Sequence, residues 1–392
     1  MPNLMSVLHS SNGLCVDWQY DRFPNPEFAS FRGVFWAFSQ SIKGFQHCRP
    51  LIVVDSKDLN GKYPMKLMIA SGVDAANNFF PLAFAVTKEL SIDIWRWFLT
   101  GIREKVTQRK GLCLISSPHP DILAVINEPG SLWQEPWAYH KFCLEYFSTQ
   151  FSIIFPDDPC LWNFVYSAGP TYQKDVFDSY MEDIEKKNPE ARRWLDQSPP
   201  HQWALAYDSG LRYGIKEIDP NIIFTVCQDF QNYTTGDVML MFDELRTTFD
   251  TSLSFSHGSL NRGDVYTEHV MDKFEKFMTD SITYVITPLE RDSFQVVSDS
   301  LEKEEWIVQL SDSTCTCGEF QSEKFPCPHA LAVCEKLKIN PLQYVDDCYS
   351  VERYHKTYAA AFYPVPKVSA WPEAWGVPTL FPPSPPNSSG KA

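Results

Sequence analysis

The feature that most constrains this chain lies between residues 315 and 329, where CTCGEFQSEKFPCPH places four soft metal ligands within fifteen positions. Zinc takes four ligands drawn from thiolate and imidazole; Cys315 with Cys317, and Cys327 with His329, make two close pairs on either side of a nine-residue connection. Each pair can chelate as a unit. The flanking residues fit a small sheet-and-helix module. Phe294 to Val297 and Trp306 to Leu310 read as short strands, the chain turns at Cys317-Gly318, and Pro328 suits the first turn of a helix running to Lys338. Leu331, Cys334 and Leu337 fall at helical spacing there, so Cys334 is expected in the core and not as a fifth ligand. A catalytic zinc keeps one position open for water, whereas this set of four is closed, so the expected cofactor is a structural Zn²⁺.

Composition sets the outer limits. A chain of 392 residues exceeds what one core usually serves, so two or three domains are expected, and 44% hydrophobic residues suffice to fill them. No run of about eighteen apolar residues occurs, and MPNLMSVLHSSNG lacks the regions of a signal peptide, so a soluble intracellular protein is expected, with no membrane partner. Eleven cysteines in such a chain point to thiols and a metal site instead of a disulfide framework. The balance of 49 Asp and Glu against 34 Lys and Arg, a net charge of −15, opposes tight binding to phosphates. A basic patch would have to be assembled from Lys57, Lys62, Arg103, Lys105, Arg109 and Lys110. Lys141 is the only Lys or Arg between Gly111 and Pro170.

Cys-x-Cys followed by Cys-x-His resembles the SWIM-type zinc finger. FPCPHALAVC and the downstream NPLQYVDDCYSVERYHKTYAAAFYPVPKVSAWPE are similar to the end of plant Mutator-like (MULE, MuDR-type) transposases. Further upstream, CRPLIVVDSKDLNGKY, DAANNFFPLAFAV and VTQRKGLCLIS resemble the catalytic domain of the same family, and the likeness runs from about residue 15 to 375. The residues themselves read as strand, two strands joined at Asn77-Asn78, a helix from Ile92 to Val106 with Trp95, Phe98 and Ile102 on one stripe, and a fourth strand. The β-β-β-α-β-α order is that of ribonuclease-H-like folds. The expected class is therefore α/β: a ribonuclease-H-like mixed sheet with a helical insertion, then a small SWIM module.

The resemblance implies two-metal phosphodiester chemistry on three carboxylates. Asp55 matches the first, at the end of the first strand. Ser117 stands where the second should be, and Ile222 where the third aligns, with Phe177-Asp178 as an alternative alignment. A family Cys-His mark survives only as His140 and Cys143, with Tyr146 at the His position. Asp121, Glu217 and Asp219 are the acids nearby, read as solvated loop residues, and Asp58 as a turn residue. The expected protein is thus a degenerate transposase with Zn²⁺ retained, a protein partner or weak DNA binding, no small-molecule substrate, and a nuclear or otherwise cytoplasmic location. The alternative is an active nuclease using Asp55, displaced acids and Mg²⁺. The resemblance begins where the family's chain is already under way, so its amino-terminal DNA-binding region is expected to be missing.

Along the chain the expected segments are a remnant at 1–45, the core at 46–155, a helical insertion and closing helices at 156–285, the finger at 286–350 and a disordered Pro-rich tail at 364–392. In the insertion Phe177, Met181 and Ile184 share a helix face broken at Asn188-Pro189, and EDIEKK reads as a solvated, charge-paired face.

Overall fold

Leu51 to Asp55 are buried without alternation, the mark of a strand covered on both faces. They lie within a mixed sheet in a computed structural model that describes residues 1–215, 224–227, 230, 233–281, 284–290, 292–299, 303–374 and 376–382. The chain forms two compact units: one of Met1–Ala138, Asp219–Val265 and Val351–Ala392, the other of Tyr139–Ile218 and Tyr266–Ser350. Helix Thr235–Arg262 therefore groups with the sheet, and the units cut across the segments expected from sequence.

In the first unit the strands are β1 (Cys15–Arg22), β2 (Phe28–Ala37), β3 (Leu51–Leu59), β4 (Met65–Val73), β5 (Phe79–Thr87) and β6 (Leu112–Ser116), in the order β1-β2-β5-β4-β3-β6. All neighbours are antiparallel except β3 and β6, which run parallel with Val53 level with Ile115. Two sequence expectations change here. Strand β3 continues past Asp55 to Leu59, because Ser56 to Leu59 stay paired with Met65 to Met68. The 1–45 segment is not a separate remnant, since β2 pairs with β5 and carries β1.

Alternation along β2 sends adjacent aromatic rings to opposite faces. Phe35 meets Phe98, 5.9 Å away, on helix Ile92–Gly101; a methyl group at Gly101 would come within 3.2 Å of the Phe35 ring. The expected helix to Val106 is α-helical only as far as Gly101 and finishes in a wider turn over Ile102–Val106. Trp36 faces the other way and stacks on Phe84 at 5.5 Å. Near that face Phe38 meets Phe242, and Phe80 meets both Phe249 and Tyr358, from helices Thr235–Arg262 and Val351–Tyr358. Thr234 and Asp237 close a capping box at the start of the longer helix, which satisfies amide groups that its first turn leaves open. The C-terminal segment is ordered further than expected: Thr379–Phe381 runs parallel to Phe28–Ser30, and Phe381 packs on Phe23 and Phe28.

Asp74, with no exposed surface, fixes the turn between β4 and β5. Its carboxylate accepts from the Ala76 and Asn78 amides at 2.9 and 2.8 Å, from Asn78 Nδ2 at 3.2 Å and from the Tyr358 hydroxyl at 2.8 Å. Burial pushes the Asp74 carboxyl above its ordinary range, and these donors oppose the shift. Asn77, at φ 68°, takes the left-handed conformation that Asn tolerates.

In the second unit, β7 (Ala138–Phe142) leads into helices Leu144–Ile154, Pro159–Ala168, Lys174–Lys187, Pro189–Leu195 and Pro200–Trp203. Phe177, Met181 and Ile184 are buried as one stripe, and Asn188 caps the following helix through Glu190 and Ala191. Phe147 packs on Trp203 at 4.9 Å and on Phe142 at 5.7 Å. Beneath them Asp208 Oδ1 lies 3.3 Å from both Lys141 Nζ and Arg212 Nε, and all three side chains are buried. Carbonyl groups of His201, Phe142 and Gln202 accept from the two cations. Among the described residues no helix is long and apolar enough to cross a membrane.

Changing Tyr358→Phe should lower stability by about 1–3 kcal/mol, since a buried carboxylate then loses one of its donors while the ring packing is kept. The shift in urea midpoint against the parent measures it.

Candidate metal centre

A four-stranded antiparallel sheet, β8 (Tyr284–Pro288), β9 (Ser293–Ser298), β10 (Glu305–Gln309) and β11 (Thr314–Cys315), in the order β11-β10-β9-β8, ends at Cys315, with Cys317 in the turn that follows. Phe294, Val296 and Val308 turn inward and meet Val333 and Cys334 of helix Pro328–Leu337 in one core. Cys334 thus belongs to the packing, as expected, whereas Leu337 is 42% exposed and does not extend the stripe.

Local chain geometry brings the pairs together. The Gly318 amide donates to the Cys315 carbonyl at 2.9 Å, and Gly318 sits at φ 82°, a conformation a side chain would resist. That turn folds Cys317 back beside Cys315. At the other end Cys327 caps helix Pro328–Leu337, its carbonyl accepting from Leu331 at 3.0 Å, and Pro328 fills the first helical position without a lost donor. His329 consequently lies in the first turn, beside Cys327.

The ligand atoms of Cys315, Cys317, Cys327 and His329 all lie within 4.8 Å of one another, and all four residues are buried. His329 Nδ1 is 3.7 Å from Cys315 Sγ and 3.8 Å from Cys327 Sγ. Tetrahedral zinc with its usual bond lengths separates such atoms by about 3.5–3.8 Å, so the donor set and its spacing fit the ion. Hydrogen bonding from Cys315, then from Cys327, holds Cys317 far below the usual thiol range. Cys315 is raised, first by its bond to Cys317, and Cys327 is raised by burial. A dication in the cluster would favour the thiolate at all three positions.

Neighbours orient the ligands. The His329 ring stacks on Trp306 at 3.9 Å and lies 5.0 Å from Tyr284. Gln321 accepts from the Cys315 amide at 3.0 Å and donates to its carbonyl at 2.9 Å, fixing that residue from within the connection between the pairs. Sequence reading did not pick out Gln321; its amide side chain four residues past Cys317 is an ordinary surface pattern until the turn at Gly318 is known.

Residues 302–338 match the SWIM zinc finger family. This part of the chain is a SWIM zinc finger with a Cys₃His site. A comparison with curated proteins finds no match to the chain.

The carboxylate positions read from sequence are placed as follows. Asp55 lies within β3, and Ser117 directly follows the last residue of β6, two residues beyond the last pair of the parallel register, Val53 with Ile115. Asp55 is buried and accepts from the Ser56 amide at 2.7 Å; Ser117 is half-buried. Asp121 lies in the first turn of helix Pro120–Ile126, its amide donating to His119 Nδ1 at 3.2 Å. Among the described residues neither Asp55 nor Asp121 joins a group of three or more His, Cys, Asp or Glu able to share an ion. Glu217, Asp219 and Ile222 lie outside the described residues. Phe177 is buried, and Asp178 accepts from the Tyr207 hydroxyl at 3.1 Å. Asp58 pairs with Lys66 across β3 and β4, in strand and not in a turn. His140 lies in β7, its pKa lowered by burial and then by Arg212 and Lys141, and Cys143 is buried at the start of the next helix, with Tyr146 one turn along.

Most of the candidate basic patch is directed at protein. Arg103 is buried and donates to the Arg109 and Trp137 carbonyls at 2.8 and 3.2 Å. Arg109 reaches the Phe45 and Cys48 carbonyls, Lys57 that of Cys227, and Lys105 pairs with Asp17 at 3.0 Å. Lys110 and Lys62 lie over the rings of Trp137 and Tyr63.

Purified protein should contain about one zinc per chain. Cys317→Ala or His329→Ala should lower that content and speed hydrogen exchange across residues 303–338. Metal analysis of the parent and both variants checks this.

Proposed function

We propose that the chain is a zinc-dependent binding protein, derived from a transposase whose catalytic metal site has been lost. The observation that carries the binding part is the buried Cys₃His cluster with its complete ligand set. A closed site leaves no coordination position for substrate, so its chemistry is structural, and a finger held in this way serves to present a surface.

The transposase part is supported by the arrangement around Asp55. The order β5-β4-β3-β6, with the last strand parallel to β3, is the arrangement expected of a ribonuclease-H-like sheet. Ser117 directly follows β6, the parallel neighbour of β3, and offers a hydroxyl where two divalent ions would need a bridging carboxylate. Mg²⁺ therefore has no part in this reading.

The partner is a protein in preference to DNA. The cations of the candidate patch are engaged with protein groups, and Lys141, the single Lys or Arg of its stretch, is buried against Asp208.

Two measurements test the reading. With Mg²⁺ or Mn²⁺ the chain should leave a labelled duplex uncut, and Asp55→Ala should not differ from the parent; cleavage that disappears with Asp55 would make it a nuclease. A titration of duplex DNA at several salt concentrations should give affinity weaker than about 1 μM at physiological salt, with the dependence of only about one or two neutralised phosphates. Tight binding with a steep slope would replace the protein partner with nucleic acid.

A further inference from the structure

We propose that Glu323 links the zinc finger to the helical segment 139–215 of the same unit, so that the bound ion holds this segment in place and its removal frees it. The proposal rests on reading Cys315, Cys317, Cys327 and His329 as zinc ligands.

Glu323 ends the short helix Glu319–Glu323, which lies wholly inside the nine-residue connection between the ligand pairs. With an ion bound, Cys317 and Cys327 anchor both ends of that connection and make it a small closed loop. Without the ion those ends gain the freedom of an open chain. Left-handed residues at each end of the helix, Gly318 at φ 82° and Lys324 at φ 56°, set its direction relative to the ligands.

What this helix touches lies far away in sequence. The Tyr172 hydroxyl donates to one oxygen of the Glu323 carboxylate and Lys273 Nζ to the other, and the side chain is 13% exposed. Burial first, then the Glu323 charge, raises the Tyr172 phenol, which keeps its proton and remains a donor. The Tyr349 hydroxyl donates to the Glu323 carbonyl at 2.6 Å. Three glycines mark the closeness of the fit. A Cβ at Gly318 would overlap the Tyr172 carbonyl, one at Gly210 the Gln321 carbonyl, and one at Gly214 the Glu323 carboxylate. Tyr172, Gly210 and Gly214, at three points of segment 139–215, thus converge on residues between the ligand pairs.

A mostly buried carboxylate depends on both partners, because removing either leaves charge without compensation. The contact is therefore sensitive to where helix Glu319–Glu323 sits, and the metal sets that position. The same helix also bears Gln321, whose bonds to Cys315 tie it to a ligand. Loss of the ion would reach Tyr172 through the backbone between Cys317 and Cys327, and so loosen a segment that itself holds none of the four ligands. Any surface that this segment offers a partner would then exist in its ordered form only in the loaded protein.

The test is hydrogen exchange followed by mass spectrometry on the full chain, with zinc measured on the same samples. Chelation should speed exchange at 169–187 and 208–215 as well as at 303–338. Glu323→Ala should keep about one zinc per chain yet show exchange at 169–187 and 208–215 about tenfold faster than the parent. Glu323→Gln keeps an acceptor for Tyr172 but loses the charge opposite Lys273, and should fall between. If Glu323→Ala does not fold, Tyr172→Phe and Lys273→Met remove the same two bonds from the other side and should each speed exchange at 169–187. Chelation that loosens 303–338 alone, or variants with parental exchange at 169–215, would overturn the proposal while leaving the zinc site standing. Folded protein without zinc would overturn both.

Discussion

Three thiols and an imidazole crowded within 4.8 Å, and shut away from water, make the least self-sufficient part of this molecule. A buried thiolate needs a cation or several donors, and three sulfurs lie together here beside a single imidazole. Three thiolates this close would repel one another, so the sulfurs cannot all be ionised without a cation. A single dication removes that conflict, because every sulfur can then be ionised at once. The surrounding core is modest: a four-stranded sheet and one ten-residue helix. Its helix also reaches a second buried cluster, where Leu331 groups with Phe325, Val270 and Phe277, and metal binding adds to what this packing supplies.

The sheet of the first unit is built on the opposite principle. Its central strands are buried on both faces, and stability comes from aromatic layers on either side of β2 and β5. Two of its buried charged groups have specific partners. Asp74 has four donors, and Arg103 donates to two carbonyls. This use of cations has a functional cost. A guanidinium that donates to a carbonyl and lies under a tryptophan ring, as Arg103 does, presents little charge to an outside phosphate.

Much of this could be read from sequence, for reasons specific to each element. The four ligands were legible because zinc chemistry restricts residue type and spacing together. The strands about Val53, Ile69 and Phe84 were legible as apolar runs bounded by turns, and the helix at Ile92 because Trp95, Phe98 and Ile102 recur at its period. The end of β3 was not, since Ser56, Lys57 and Asp58 look like a turn. Only the partner strand Met65 to Met68 shows that they are paired. Thr379 to Phe381 was hidden for the same reason: three residues in a Pro-rich tail have no period, and their strand is created by Phe28 to Ser30. Gln321, Glu323 and Tyr172 escaped because their roles are set by contacts across as many as 151 residues, on which local pattern is silent.

Ser117 and Glu323 show why a single side chain can mean more in place than in sequence. On the proposed reading, a hydroxyl in place of a carboxylate at position 117, just past the end of β6, would leave the register of β6 with β3 intact while removing the capacity to bind two divalent ions. Nothing in the sheet would resist such a change, because the fold does not depend on the carboxylates. The finger has no such freedom. Its ligands are also its structural bonds, and a change at Cys317 or His329 removes binding and fold together.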